Sequence, residues 1–175
     1  MGIERIIDFI LQFITDFLPF FVVDVYERSV VLRFGRVHRV KSGGFYWKIP
    51  FVDKPITYTV VTTTIETPVQ SLVTKDDKEV SIKSVVKYNI SDVEVHTTSI
   101  YDATDAIVDL TQGHIMNECN NLTYDECRDT LSLSGSITKK VRNEVKKYGI
   151  YIEQITLTNF IKTRNIRLFN ETGIT

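Results

Sequence analysis

The sequence predicts an α+β fold in which antiparallel strands come first, helices follow and one strand returns near the end. Two observations support this prediction: a strict period-two alternation near the middle of the chain and capped, periodic helical segments in the second half. An amphipathic helix is predicted to precede the strands.

The clearest strand covers residues 79–90, where apolar and polar side chains alternate as in a strand buried on one face. Residues 69–74 form an extended run before it. Asp76 and Asp77 lie in the polar turn between them, a position that Asp tolerates well. We therefore expect a hairpin with Lys83 and Lys87 exposed. The predicted dry face carries Val80, Ile82, Ser84, Val86, Tyr88 and Ile90.

Residues 3–18 show an amphipathic helical pattern that Pro19 ends, because proline cannot continue a helix without losing a hydrogen bond. The polar side chains occupy an arc of roughly 120°, and the rest of the circumference is apolar. No apolar run reaches the roughly 18–20 residues that a spanning helix needs. The segment also lacks the basic start of a signal peptide, and Ile6 breaks the myristoylation pattern that Gly2 would begin.

Two interpretations of this helix remain open. It lies in the membrane interface, or it packs on the domain's own core or in an oligomer. We favour a shallow or re-entrant membrane contact that continues into residues 19–23, because the apolar arc exceeds half the circumference. The acidic polar face gives no attraction to anionic lipids, so insertion would be hydrophobic. The predicted membrane-contact residues are Ile3, Ile6, Ile7, Ile10, Phe13, Ile14, Phe17, Leu18, Phe20 and Phe21.

The first half reads as several strands. Residues 21–26 and 29–36 are predicted as two short strands separated by Glu27-Arg28, and Gly43-Gly44 as a turn. Pro50 and Pro55 indicate an extended connection. A further strand is predicted over residues 56–66.

Three segments of this half, VYERSVVLRFGR at 25–36, GGFYWKIPFVD at 43–53 and TPVQSLVTKD at 67–76, follow one another in an order and spacing that resemble the SPFH or band-7 domain of stomatins, prohibitins, flotillins and bacterial relatives. The match covers about residues 22–160. The motif residues, to which the resemblance gives structural roles, are Glu27, Arg28, Phe34, Gly35, Gly43, Gly44, Ile49, Pro50, Phe51, Asp53, Thr74, Lys75 and Asp76.

The second half reads as helices and a returning strand. Residues 99–102 resemble a capping box that opens a helix with Ala103, Ile107, Leu110 and His114 along its inner stripe. Thr123 to Glu126 is a capping box for a short helix. A third helix begins near residue 134 or 136 and ends before Gly149. We expect its inner positions at Ile137, Val141, Val145 and Tyr148, and then a strand over 150–157 with Ile150, Ile152 and Ile155 inward.

The lysines and arginines on the outside of that third helix are interpreted as solvated surface or as a contact with lipid or a neighbouring subunit. His114 is interpreted as a packed histidine. Cys119 and Cys127 are too few for a disulfide framework and favour a reducing compartment. The formal charge of −1 argues against nucleic-acid binding. No catalytic motif and no zinc spacing occurs, so neither an enzyme nor a cofactor is predicted.

The resemblance implies a non-enzymatic scaffold attached to membrane lipid, which forms homo-oligomers and organises membrane proteins such as proteases or channels. The predicted organisation is a membrane-associating helix at 1–21, the SPFH domain at 22–160 and the start of a truncated C-terminal helix at 161–175. The long coiled coil of the family and the acylated cysteine of some stomatins are missing. The expected location is peripheral or monotopic at the membrane, with the domain on the cytoplasmic side. The alternative is a soluble regulatory or ligand-binding module whose N-terminal helix docks on a partner protein.

Overall fold

A computed structural model describes residues 18–162. Its strands and helices follow the predicted order of strands, helices and a returning strand, which confirms the α+β fold. The predicted helix at residues 3–18 lies outside the described residues, apart from its last residue. The elements are β1 Phe20–Arg33, β2 Arg36–Trp47, β3 Asp53–Thr59, β4 Thr63–Glu66, β5 Gln70–Val73, β6 Glu79–Ile90, α1 Val93–Ser99, α2 Ala103–Asn121, α3 Tyr124–Cys127, α4 Thr130–Val145, a 3₁₀ turn Lys146–Tyr148 and β7 Ile150–Lys162.

The strands form two sheets. The first has the order β2-β1-β3, and in the second β6 pairs with β4, β5 and β7. The predicted single strand over residues 56–66 is wrong, because the chain leaves the first sheet after Thr59 and enters the second at Thr63. The described chain has two compact units, one formed by residues 18–63, 87–103 and 142–153 and the other by residues 64–86, 104–141 and 154–162.

β1 is one strand of 14 residues instead of the two predicted runs. At the predicted break the pairing with β2 shifts, from Val23 opposite Gly44 to Arg28 opposite Ser42, so residues 24–27 form a bulge. The predicted turn at Gly43-Gly44 is wrong, because both glycines are part of β2 and lie beside this bulge. A Cβ atom on Gly43 would lie 3.0 Å from the Val25 Cα atom, so glycine permits the close approach of the two backbones.

The first sheet is strongly coiled. The Lys48 amide donates to the Pro19 carbonyl at 2.8 Å, and the Phe34 amide donates to the Val52 carbonyl at 3.4 Å. The link from residue 48 to 52 therefore joins the two ends of β1, although five residues span at most about 18 Å. A straight strand of this length would extend about 45 Å. β1 must bend, and the bulge supplies the bend.

The predicted hairpin is confirmed. β5 pairs antiparallel with β6, with Leu72 opposite Val80 and Val73 opposite Glu79. Val80, Ile82, Ser84 and Val86 are fully buried, whereas Tyr88 and Ile90, predicted on the same dry face, are half-buried. On the other face Lys87 is exposed as predicted, and Lys83 is half-buried beside Glu66 at 2.5 Å. Asp77 in the turn has φ +56°.

The helical half differs from the prediction in two ways. The sequence analysis missed α1, which Asp92 caps by accepting from the amides of Glu94 and Val95 at 3.0 and 3.1 Å. In α2 the buried stripe consists of Ile107, Thr111, Ile115 and Cys119. Of the stripe predicted for this helix only Ile107 is fully buried, because burial follows an i, i+4 spacing and leaves Ala103, Leu110 and His114 half-buried.

The capping box of α3 is confirmed, with the Thr123 amide donating to Glu126 Oε2 at 2.8 Å and the Glu126 amide donating to Thr123 Oγ1 at 3.5 Å. α4 begins at Thr130, four or six residues before the predicted start at residue 134 or 136. Its inner residues Ile137, Val141 and Val145 are fully buried as predicted, and Tyr148 is half-buried.

Gly149 ends the helical segment with φ +70°, and β7 follows with Ile150, Ile152 and Ile155 buried as predicted. β7 continues to Lys162, through the first two residues of the segment 161–175 that is predicted to begin a C-terminal helix. Side chains of α4 bond to its backbone: Ser134 Oγ donates to the Ile155 carbonyl at 2.7 Å, and Arg142 donates to the Ile152 and Glu153 carbonyls at 2.7 and 2.8 Å. Thr138 Oγ1 accepts from the Ile155 amide at 3.0 Å.

Candidate functional site

Exposed apolar side chains gather along one margin of the first sheet. They come from the start of β1, the β1–β2 turn, the end of β2 and the link to β3, and they are between 38% and 81% exposed. We call this set the apolar rim: Phe20, Phe34, Phe45, Trp47, Ile49 and Phe51. Clusters of exposed large apolar side chains often mark contact sites.

Three rings of the rim pack on one another. Phe20 lies opposite Trp47 in the β1–β2 register, so these side chains project from the same face of the sheet, and Phe45 lies two residues before Trp47 on β2. The ring centroids are 5.3 Å apart for Phe20 and Phe45, 6.4 Å for Phe20 and Trp47, and 6.1 Å for Phe45 and Trp47. These contacts hold the rings in place while leaving them exposed to solvent.

Hydrogen bonds to its backbone hold the segment that carries Trp47, at the end of β2, and Ile49 and Phe51, in the link to β3. Arg39 donates to the Trp47 carbonyl at 3.2 Å. Further along, the amides of Val52 and Asp53 donate to the Ile49 carbonyl at 3.2 and 2.9 Å. The exposed side chains therefore stand on a well-bonded segment, not on a loosely attached loop.

Asp53 is the central polar group of this segment. Its side chain is fully buried and accepts from Arg33 Nε at 2.7 Å, from the second guanidinium nitrogen at 3.0 Å and from the Ile49 amide at 3.1 Å. The hydrogen bonds from Arg33 lower the pKa of Asp53 to about 2, against a counteracting effect of burial. This bidentate ion pair ties the start of β3 to the end of β1.

Two residues of the rim have unusual backbone conformations. Phe34 has φ +50° and Phe51 has φ +64°, a region that bulky side chains rarely adopt. Phe34 and Gly35, at φ +77°, are the two central residues of the β1–β2 turn, and both have the positive φ of a tight hairpin. Glycine or asparagine would adopt these conformations with less strain, so the phenylalanines raise the energy of the folded chain.

Of the predicted membrane-contact residues, those from Ile3 to Phe17 lie outside the described residues. Phe20 is part of the rim and Leu18 is half-buried. Phe21 projects from the opposite face of β1, where its ring lies 5.8 Å from that of Tyr46. The sequence analysis assigned Phe34, Ile49 and Phe51 only structural roles and named neither Phe45 nor Trp47 as a contact residue. The signal available for Phe34, Ile49 and Phe51 was their position beside Gly35 and Pro50, where large apolar side chains are not needed to form a turn.

The other motif residues hold turns and bulges together. Glu27, Arg28, Gly43 and Gly44 lie at the bulge of β1 and β2. In the β5–β6 turn Thr74 Oγ1 donates to Asp76 Oδ1 at 2.7 Å, and the Tyr124 amide donates to the same oxygen at 2.9 Å. Lys78 lies 2.7 Å from Asp76, and its hydrogen bond is the largest of the effects that lower the pKa of the Asp76 carboxyl. The Lys75 amide donates to the Leu122 carbonyl at 2.9 Å, so the hairpin is anchored at the start of α3.

The titratable groups of the second half also have structural partners. Glu118, Glu126 and Asp129 border one open depression between α2, α3 and α4. Glu118 binds Lys140, which lowers the pKa of its carboxyl, and Glu126 is held in the capping box. Asp129 accepts from the Ser132 amide at 3.3 Å.

The remaining groups considered for chemistry are a histidine and two thiols. Burial lowers the pKa of His96, whose ring packs edge-on against Tyr58 at 5.0 Å. Cys119 and Cys127 are both buried and free, and burial raises the pKa of the Cys119 thiol to about 12. At such a pKa the thiol is protonated at neutral pH. Within residues 18–162 no three His, Cys, Asp or Glu side chains are arranged to hold a metal ion.

None of the helices between residues 18 and 162 is long and apolar enough to cross a membrane.

Comparison with known proteins agrees with the motifs of the first half. The chain is 28% identical over 147 residues to protein HflK of Haemophilus influenzae, covering 83% of this chain and 36% of that protein. It is 28% identical over 152 residues to a stomatin homologue of Pyrococcus horikoshii, covering 85% and 56%. It is 26% identical over 149 residues to stomatin-1 of Caenorhabditis elegans, covering 84% and 43%. The chain thus spans about a third to just over half of the length of these relatives.

The SPFH domain / Band 7 family model matches residues 21–167, which include all of the described strands and helices except the first residue of β1. The chain belongs to the SPFH domain / Band 7 family.

Proposed function

We propose that this chain is a membrane-attached SPFH scaffold without catalysis, and that the apolar rim is its membrane-contact surface. A membrane-scaffold role fits the family in general. The observation that carries the proposal for this chain is the rim itself, which exposes six large apolar side chains. The link from residue 48 to 52, which carries two of them, is hydrogen-bonded to Pro19 at one end and to Phe34 at the other. Aromatic side chains with one apolar and one wet side suit the membrane interface.

The place where the chain enters the sheet supports the same proposal. Pro19, which ends the predicted amphipathic helix, is bonded to Lys48 within the segment that carries the rim. The helix and the rim are therefore adjacent in the chain and can contact one bilayer surface together. Each apolar side chain that enters lipid contributes about 1.5–3 kcal/mol, so the two elements reinforce each other.

The strained phenylalanines allow membrane binding to be separated from folding. In the double variant Phe34→Asn/Phe51→Asn, asparagine accepts the positive φ values better than phenylalanine does. We expect the free energy of unfolding to stay equal or to rise, and binding of the full chain to phosphatidylcholine vesicles in a flotation assay to weaken by at least about tenfold.

The matched control is Tyr101→Asn/Leu131→Asn, which removes two apolar side chains that are also highly exposed but lie outside the rim. This control should float like the unchanged chain. If the rim variant floats as well as the control, the rim does not contact lipid. If the unchanged chain does not float at all, docking on a partner protein replaces the membrane role.

Lateral assembly is the second part of the proposal. Copies held at one surface share one orientation and have a raised effective concentration, so weak side-by-side contacts can close into rings. We expect the full chain to associate in mild detergent and on nanodiscs. A Phe13→Asp/Phe17→Asp variant, which places charge in the predicted apolar arc, should be monomeric at micromolar concentration when measured by sedimentation. A full chain that is monomeric on nanodiscs would contradict the scaffold.

The membrane proteins that the scaffold would organise are proposed only by class, as proteases or channels. The domain limits of 1–21, 22–160 and 161–175 and the cytoplasmic side are likewise proposed from the resemblance.

A further inference from the structure

Charge is unevenly distributed along the chain. Residues 33–54 contain six Lys and Arg and one Asp, a formal charge of +5, whereas the other residues contain 15 Lys and Arg and 21 Asp and Glu, a formal charge of −6. The single acid of the basic segment, Asp53, is buried against Arg33. The net charge of −1 conceals this separation.

The basic segment is the one that carries most of the rim. Arg36 follows the turn in which Phe34 lies, and it is exposed. Lys54 is exposed as well. It is the second residue of β3, which begins at Asp53 directly after the link that carries Phe51. The β1–β2 register places Arg36 opposite Arg33, and the β1–β3 register places Asp53 opposite the same residue. Arg36 therefore pairs with Arg33 on one side of β1 and Lys54 pairs with Leu32 on the other, so the two residues flank the last positions of β1 before Phe34.

An anionic bilayer surface matches this combination. Apolar side chains enter the acyl region, while exposed Lys and Arg at the edge of the patch meet the negative headgroups. The N-terminal segment does not supply this attraction, because residues 1–17 contain three acids and one Arg. The rest of the chain, being net acidic, is repelled by the same surface, which favours docking through the basic segment.

We propose that the rim docks on an anionic lipid surface, with Arg36 and Lys54 contacting the headgroups. This inference rests on the proposed membrane function and adds lipid selectivity to it. The basic residues of the β1–β3 sheet make the contact selective for negative lipids, and the apolar rim provides the part of the binding that salt does not screen.

The test is flotation of the full chain with two kinds of vesicle, one of phosphatidylcholine alone and one in which roughly a third of the lipid is phosphatidylglycerol, at low and high salt. We expect tighter binding to the anionic vesicles at low salt, and a smaller preference at high salt. In the variant Arg36→Gln/Lys54→Gln the binding to anionic vesicles should weaken on the order of 30-fold at low salt, and the binding to neutral vesicles should not change.

The matched control is Lys139→Gln/Lys146→Gln, which changes the net charge equally at two exposed lysines outside the basic segment. This variant should keep the anionic preference. Equal binding of the unchanged chain to both vesicles overturns the lipid selectivity and leaves the membrane role in place. Equal losses in the two variants overturn the assignment to Arg36 and Lys54. Binding to neither vesicle overturns the proposed function itself.

Discussion

The β5–β6 hairpin and the β1–β3 sheet place their large apolar side chains in opposite ways. In β6 the residues Val80, Ile82 and Val86 are completely buried. At the rim of the first sheet Phe34, Trp47 and Phe51 are each more than 60% exposed. Large apolar side chains thus form a core in one region and a surface in the other, and the turns of the two regions differ as well. The β5–β6 turn is held by polar side chains, whereas the turn at Phe34 and the link at Phe51 carry phenylalanine in a strained conformation.

This contrast has an energetic consequence. Burial of a large apolar side chain stabilises a fold by about 1.5–3 kcal/mol, and the rim forgoes that contribution at several positions. The stability therefore comes from buried positions, such as Val30 and Val31 in the first sheet and those of the hairpin and the helices, while the rim is retained at the expense of stability. Substitutions in the two regions should differ accordingly.

The largest effect is expected at the junction between α4 and β7. A Cβ atom on Gly149 would lie 2.3 Å from the Asp92 carbonyl oxygen, and the residue has φ +70°. Gly149→Ala should therefore lower the free energy of unfolding by about 4 kcal/mol or more, measured in urea. Gly113→Ala is the control, because Gly113 lies within α2 with no atom within 4 Å of its added Cβ, and it should raise stability by about 0.5–1 kcal/mol. Similar small changes in both variants would mean that the junction is less tight than described.

The next effect compares the two kinds of apolar side chain directly. Ile82→Ala should lower the free energy of unfolding by about 2–5 kcal/mol, because it leaves a cavity in the core. Trp47→Ala removes more atoms but should cost less than about 1 kcal/mol, because the indole is 65% exposed. Lys83→Ala should also cost less than about 1 kcal/mol, since it loses only a surface ion pair with Glu66. If Trp47→Ala proved as destabilising as Ile82→Ala, the rim would be part of the core.

The smallest of the three effects concerns the ion pair between Asp53 and Arg33, which we call the Asp53 clamp. The folded-state pKa of Asp53 is about 2, below its ordinary value of 3.8, so its ionised form stabilises the fold at neutral pH. Asp53→Asn should cost about 2 kcal/mol there. Because the pKa is lowered on folding, the contribution is complete above about pH 4 and disappears as the pH falls toward 2.

Urea unfolding of both chains across this range should therefore show the gap closing with acid. Asp77→Asn, at a turn position that asparagine also tolerates, should cost little at neutral pH. A gap between Asp53→Asn and the unchanged chain that persists to pH 2 would rule out the ion pair as its source.

The sequence predicted the hairpin, the capping box of α3 and the glycine that ends the 3₁₀ turn, because each depends on neighbouring residues. Alternation along residues 79–90 is enough to assign a buried face. The bulge in β1 was missed because it depends on where Gly43 of another strand approaches. α1 was missed because residues 93–99 include two Val and two Thr, which favour strands, so helix formation there follows the Asp92 cap.

The candidate site was predicted only in part, for a related reason. An exposed phenylalanine and a buried one look alike in a sequence. The exposure of Phe51 follows from the turn at residues 50–52 and from the Asp53 clamp, which joins residues 20 positions apart. The basic segment can be read from the sequence, but the overall charge of −1 gives no sign of it. Its relevance follows only from the structure, which shows that the same segment carries most of the rim.

The side chains of α4 that bond to β7 restrict how such molecules can assemble. The carbonyls of Ile152, Glu153 and Ile155 already accept hydrogen bonds from Ser134 and Arg142, so along this stretch of β7 a second chain that added a strand would find fewer free acceptors. Copies that meet at this stretch would therefore associate mainly through their side chains, and contacts of that kind can come apart again.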